Sequence, residues 1–293
     1  MKRILYLFAA LALFAGCKNA PEQKVMARPV PERADDFVFE NNLIAGRFYG
    51  EALEGNPTSP GMDIWVKLPG KLVADEWYAQ AQTDGSYYHR DHGGKDCYKV
   101  AVSLGGGASV PLIDGLMRFP ATNYRSCEIL EQTPEKIVFS LHYPEWEAAE
   151  GIFVSLDKKI CVEADSYFIC VTDSYNFSGT DTLLVAAGIK LHGAQETVAE
   201  TLEQTDRYAI WEKASDQSVE PEDGMLGVAV VMPGANGLLV SKELDHALLL
   251  KTIRSGESIC YQAGSCWSKG EIKTPEDWFE TVSATSCCGG CCK

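Results

Sequence analysis

Lys136-Ile-Val-Phe-Ser-Leu-His-Tyr143 decides the fold. Ile137, Phe139, Leu141 and Tyr143 fall on one side of an extended chain, and Ser140 and His142 on the other. That alternation is what a half-buried strand requires, because successive side chains leave a pleated backbone on opposite faces. Outward from this stretch the same period recurs, predicting strands at Phe37–Glu40, Leu43–Tyr49, Met62–Leu68, Tyr98–Ser103, Tyr124–Leu130, Phe153–Leu156, Ile160–Glu163, Tyr167–Asn176, Leu183–Leu191, Met225–Met232, Gly237–Ser241, Ala247–Ile253 and Ser258–Ala263. Helix signals are confined to Asp75–Gln82 and to Thr274–Val282, where Pro275, Glu276 and Asp277 suit a helix start. More than ten strands without intervening helices predict an all-β fold, a large antiparallel sandwich rather than a parallel sheet. Gly105-Gly106-Gly107 lacks the lysine and hydroxyl of a phosphate-binding loop, so a bulge or tight turn is expected there.

Lys2 and Arg3 precede an apolar run, Ile4 to Gly16, that closes on Ala15-Gly16-Cys17. The run is shorter than the roughly 20 residues of a membrane-spanning helix. Residues 1–16 are therefore expected to be a lipoprotein export signal, with Cys17 the lipidated first residue of the mature chain. More than one acyl chain gives stable attachment, so the expected location is the cell envelope, lipid-anchored at the periplasmic face or outer membrane. Pro21, Pro29 and Pro31 among polar residues predict a flexible tether over 17–33. A single β domain over 34–283 and a disordered cysteine-rich tail over 284–293 complete the expected organisation.

Acidic residues outnumber basic ones 41 to 26, and the formal charge of −15 becomes −17 once Lys2 and Arg3 leave with the signal. Nucleic acid is excluded as a partner, since binding phosphate backbones needs a basic stripe that this chain lacks. An anionic substrate would need a local basic pocket.

The eleven cysteines form separate groups. Cys161 and Cys170 flank a hairpin expected to turn at Asp165-Ser166, which sets them opposite each other as a bridge or as buried thiols. Cys287, Cys288, Cys291 and Cys292 offer soft donors that would take zinc or copper(I) opportunistically.

One segment carries concentrated chemistry: Tyr88-His-Arg-Asp-His-Gly-Gly-Lys-Asp-Cys-Tyr-Lys99. It is too polar for a core strand, and it holds two of the five histidines. Together with Arg33-Ala-Asp-Asp-Phe-Val-Phe-Glu40, Gly61-Met-Asp-Ile-Trp-Val-Lys67, Tyr261-Gln-Ala-Gly264, Trp267 and Asp277-Trp278, it resembles one family. That family is a domain of unknown function found in bacterial periplasmic lipoproteins, commonly within gene clusters that dismantle plant and algal polysaccharides. The resemblance implies a β-supersandwich similar to galactose mutarotase and to the sandwich domains of polysaccharide lyases, with an oligosaccharide as ligand. It implies no particular reaction, because that architecture hosts several.

For an oligosaccharide ending in a uronate, elimination removes a carbon-bound proton beside a carboxylate whose charge must be neutralised. Arg90 and Lys99 are the candidate neutralising groups, His89 or His92 the base, and Tyr88 or Tyr98 the donor to the leaving oxygen. Asp96, Trp211 and Trp267 are further candidates for substrate binding. A mutarotase or epimerase would pair one histidine with Asp91, Asp96 or Glu40, and a hydrolase would need two carboxylates at a set spacing. No cofactor is expected; the alternative is a divalent metal on His89, Asp91 and His92, against which Arg90 and Lys95 would act. A glycan-binding lipoprotein without catalysis is the other class, and a solvated loop with mutually paired charges is the bland reading of the segment. His142 is expected on a polar surface, His192 at a strand end and His246 in a structural role. Among the aromatics, Trp65 is expected to be buried or on a cleft floor, Trp211 on a cleft wall, and Trp77 and Tyr78 available to stack on sugar rings.

Overall fold

A computed structural model describes residues 22–54, 61–192, 200–214 and 220–286. In chain order the strands are β1 (Val25–Val30), β2 (Asp36–Asn41), β3 (Ala45–Phe48), β4 (Asp63–Lys67), β5 (Gly94–Asp96), β6 (Ala108–Ile113), β7 (Leu116–Met117), β8 (Ser126–Gln132) and β9 (Lys136–Ala149). They continue as β10 (Ile152–Glu163), β11 (Phe168–Ser178), β12 (Leu183–Lys190), β13 (Glu200–Gln204), β14 (Arg207–Lys213), β15 (Met225–Val231), β16 (Gly237–Ser241), β17 (His246–Ile253) and β18 (Ser258–Trp267). The two α-helices are α1 (Ala74–Ala81) and α2 (Pro275–Ala284).

An eight-stranded sheet, in the order β13-β14-β15-β18-β11-β10-β9-β8, forms one layer. Two five-stranded sheets, β1 to β5 in sequence and β16-β17-β12-β6-β7, lie over its inner face. One apolar core draws on all three: Phe37 and Phe39, then Phe139, Ile160 and Val171, then Val185 and Leu249. Phe37 stacks on Phe139 at 4.4 Å. Helix α2 covers part of the opposite face of the large sheet, where Trp278 lies parallel to Phe168 at 5.5 Å. Its start follows from Thr274, whose hydroxyl accepts the Asp277 N–H, and from Pro275 in the first turn.

The seam between the two small sheets runs through the glycine triplet. Gly105 bridges Met62, and at φ +58° a side chain there would place its Cβ 2.1 Å from the Met62 carbonyl oxygen. Only glycine tolerates both constraints, which makes the triplet a tight turn.

Three expectations are corrected. Val25–Val30, assigned to the tether over 17–33, form edge strand β1, paired antiparallel from Val25–Asn41 to Val30–Asp36. Val25 and Val30 are fully buried, and Pro29 is tolerated because an edge strand has ladder positions that need no N–H. Tyr98–Ser103 is not a strand; the short β5 precedes it and pairs with β4. Phe153–Leu156 and Ile160–Glu163 are one strand, β10, whose apolar pattern is interrupted because Lys158 points inward. The export signal, Cys17 and Cys287–Cys292 lie outside the described residues. Cys161 and Cys170 do face each other in the β10–β11 register.

Lys158 is 1% exposed, and its ammonium donates to both oxygens of Asp173 at 2.8 and 2.6 Å and to the Tyr261 hydroxyl at 3.1 Å. The Tyr261 hydroxyl in turn donates to Asp173 at 3.0 Å, and Ser109 of β6 reaches the same carboxylate and the Tyr175 hydroxyl. This network joins the large sheet to a small one through charge. Burial lowers the Lys158 pKa while Asp173 acts to raise it. Asp173→Ala should strand the buried ammonium and cost about 3–5 kcal/mol, whereas Lys158→Met with Asp173→Leu should recover most of that loss. Urea denaturation decides this: a single-variant loss below about 1 kcal/mol, the size of a surface pair, would mean that the network does not hold the layers.

Candidate functional site

The segment from Tyr88 to Lys99 does not gather into one loop; its residues part according to strand geometry. In β5, alternation sends Lys95 and Asp96 to opposite faces. The Lys95 ammonium meets Asp223 at 2.8 Å on the inner side, both groups being buried. Asp96 turns the other way and accepts from Arg47 at 2.9 Å. Tyr98 is 2% exposed, with its hydroxyl 3.2 Å from the carbonyl oxygens of both Gly105 and Lys190.

Beside Tyr98 lies the arrangement with the most chemical capacity. His192 follows the end of β12 and sets its ring edge-on to Tyr98 at 4.7 Å. Its Nε2 lies 2.7 Å from the Lys99 carbonyl oxygen, and its Nδ1 lies 2.6 Å from Glu212 Oε1. Both ring nitrogens thus face acceptors, which a doubly protonated imidazolium satisfies. Glu212 is delivered by β14, where Tyr208, Ile210 and Glu212 share the inner face and are all buried. Lys99, which lends that carbonyl, is an exposed residue. The Lys190 N–H donates to the Gly105 carbonyl at 2.8 Å, locking the end of β12 to the glycine turn.

Asp96 belongs to a second, closed cluster under α1. There Arg47, 3% exposed, donates to Asp63 at 2.7 Å as well as to Asp96, with Asp36 at 3.8 Å. The guanidinium lies 5.1 Å from the Trp65 ring and 5.4 Å from those of Tyr49 and Tyr88. Burial works against its charge, but Asp63 and Asp96 outweigh that and raise its pKa well above the usual value. Asp36 is pushed up to about 6, chiefly by burial and partly by Asp63, against the pull of Arg47 and Arg33.

The remaining expected site residues take separate partners. Tyr88 is buried and stacks on Trp65 at 5.2 Å, and His89 is half-buried beside it at 4.9 Å. Arg90 pairs with Asp84 and Ser86 at the surface, Asp91 meets Lys269 at 2.8 Å, and His92 lies flat on Tyr87 at 3.9 Å. Among the described residues no three His, Cys, Asp or Glu side chains gather as a metal would need. Trp267 is 3% exposed and donates to the Asp223 carbonyl at 2.6 Å. Trp211, expected on a cleft wall, is 3% exposed and packs beneath α2, because alternation gives the inner face to Glu212. Trp77 and Tyr78, on the buried face of α1, pack against Trp65. His142 lies on the outer face, with Nδ1 2.7 Å from Asp157.

The His192–Glu212 pair is not apparent from local sequence, since its two residues are 20 positions apart, one beyond the end of β12 and the other on β14. One signal does point to Glu212, Lys158 and Asp173: each is an ionisable residue at an inward position of an apolar alternation.

Over residues 14–287 the chain matches the family described as Domain of unknown function (DUF4861). It is 30% identical over 275 residues to "Uncharacterized protein P7" of Formosa agariphila, covering 89% of this chain and 66% of that relative. It is also similar to the solved structure named "Putative kojibiose phosphorylase from human microbiome", at 7% identity and a TM-score of 0.47, over 89% of this chain and 35% of that one.

The Asp36 carboxyl makes a prediction about stability. Its folded value, about 6, lies above the ordinary 3.8, so the folded state holds this proton more tightly than the unfolded state does. Its contribution is present below about pH 4 and is lost as pH rises through about 6. Asp36→Asn should remove that slope from the curve of unfolding free energy against pH, and an unchanged slope would show that Asp36 ionises normally.

Proposed function

The chain belongs to the DUF4861 family, and from the groups around Tyr98 we propose that it acts on oligosaccharides bearing a carboxylate, by acid–base elimination. The observation that carries this is His192, held between the Glu212 carboxylate and the Lys99 carbonyl against the Tyr98 ring. A histidine oriented by a buried carboxylate is the usual build of a proton-transfer group. Here neutral His192, its Nδ1–H held by Glu212, turns Nε2 from the Lys99 carbonyl to the substrate and takes the carbon-bound proton. It returns that proton to the leaving oxygen as the carbon–oxygen bond breaks and the carbon–carbon double bond forms; Glu212 balances the charge on the ring in between. The Lys99 ammonium neutralises the substrate carboxylate, so that the developing enolate is tolerable. The acid–base role thus passes from His89 and His92 to His192, and Lys99 keeps its role.

A specific observation favours a second reading. His192 has both nitrogens satisfied and its side chain is 7% exposed, as suits a site that recognises a sugar acid through Lys99 without breaking a bond.

The apolar run ending at Cys17 supports an envelope location. Since β1 begins at Val25, seven residues separate it from the proposed lipid on Cys17, a reach of at most about 28 Å over the eight chain steps. The proposed anchor therefore holds the domain close to the bilayer.

Purified protein with uronate-ending oligosaccharides tests both readings through the ultraviolet absorbance of an unsaturated uronate and through calorimetric binding. Elimination predicts that Glu212→Gln lowers kcat about 10²–10⁴-fold with little change in KM. Binding lost in Lys99→Ala, with no absorbance from any substrate, would retire elimination in favour of recognition alone.

A further inference from the structure

His246 opens β17 and is 2% exposed, opposite Lys190 of β12 in the register. The Leu104 N–H donates to its Nε2 at 3.0 Å, and its Nδ1 lies 2.5 Å from the Leu244 carbonyl oxygen. A donor facing one nitrogen and a carbonyl facing the other select a single form, the neutral ring with its hydrogen on Nδ1. A second proton, on Nε2, would point at the Leu104 N–H and break that bond.

Leu104 leads into the glycine turn on which the proposed site is hung. The Gly105 carbonyl receives the Tyr98 hydroxyl and the Lys190 N–H, and the Ser103 hydroxyl accepts the Gly105 N–H at 2.9 Å. Tyr98 and the strand end that carries His192 therefore take their positions from this turn. The turn is tied to β17 through His246.

We infer that neutral His246 is a positioning residue for the proposed site, holding the Leu104–Gly105 turn beneath Tyr98 and His192, and that its protonation releases them. The inference rests on the proposed function only for its effect on activity.

The surroundings of His246 favour the neutral ring on balance. Its ring is pushed down to about 4, first by burial, with Lys190 across the register and His192 beyond it adding to the shift. The Leu244 hydrogen bond and Asp245, at the turn before β17, act the other way. From β16 the facing residue is Ser241, which carries no charge. Because the folded value lies below the ordinary 6.5, this histidine's stabilisation is present above about pH 6.5 and is lost as pH falls through about 4.

The first test needs neither a variant nor a substrate. In ¹⁵N NMR of the wild-type protein, the His246 ring should show the Nδ1–H tautomer near neutral pH. The Leu104 amide should shift together with the ring signal on acidification. A charged ring at neutral pH, or a Leu104 amide indifferent to the ring's titration, would overturn the inference whatever the protein does to sugars. The second test uses His246→Gln, whose amide oxygen can accept from Leu104 and whose amide nitrogen can donate to Leu244 without titrating. His246→Gln should keep the fold and the uronate binding or turnover of wild type, and its Leu104 amide should stay fixed through the acidification that moves it in wild type. His246→Ala should lose binding or turnover at all pH values. A Leu104 amide that still moves with acidification in His246→Gln would sink the positioning role.

Discussion

A charge taken out of water must meet an opposite charge with its hydrogen bonds complete, and this sandwich is organised around that demand. Lys158 and Asp173 set it in the middle of the large sheet, where they draw Ser109 of a small sheet into the same network. The demand recurs at Lys67, whose ammonium meets Glu40 at 2.6 Å. Glu40 also accepts the N–H groups of Val73 and Ala74, so one carboxylate neutralises a buried lysine and holds the start of α1. Arg47 with Asp63 and Asp96, Lys95 with Asp223, and His192 beside Glu212 extend the pattern. In each case the partners come from separate segments, so satisfying the charge also sets how those segments lie together.

The candidate site is the place where this pairing meets the surface. Tyr98, the glycine turn, the end of β12 and the inner face of β14 converge, and Lys99, itself exposed, brings its backbone carbonyl to the enclosed His192. The Arg47 cluster, by contrast, is closed on all sides by aromatic rings and by α1. Strand β5 sends Asp96 into the Arg47 cluster and Lys95 the other way, to Asp223. The polar segment from Tyr88 to Lys99 thus serves chiefly to join two buried networks, with Arg90, Asp91 and His92 left to pair at the surface.

Much of the architecture was legible in the chain because strands announce themselves by alternation. Lys136–Tyr143 lies within β9 as its pattern requires, the hairpin through Asp165 sets Cys161 against Cys170, and Pro275 opens α2. What misled was composition read without register. Prolines and polar residues over 17–33 look like a tether, yet within that stretch an edge strand accepts Pro29 and buries Val25 and Val30. Lys158 seems to end a strand, yet it continues inward because Asp173 waits on the neighbouring strand. His192 looks like an ordinary strand end, since nothing near it in the chain shows that Glu212 is beside it.

By itself, the sequence determined the all-β class and the antiparallel order of its hairpins, because these depend on neighbours one or two positions apart. The partners of each buried charge were decided only by the tertiary structure. Pairings such as Lys158 with Asp173, Arg47 with Asp96 and His192 with Glu212 depend on strand register and sheet stacking, and their strength comes from the exclusion of water, which no local pattern records.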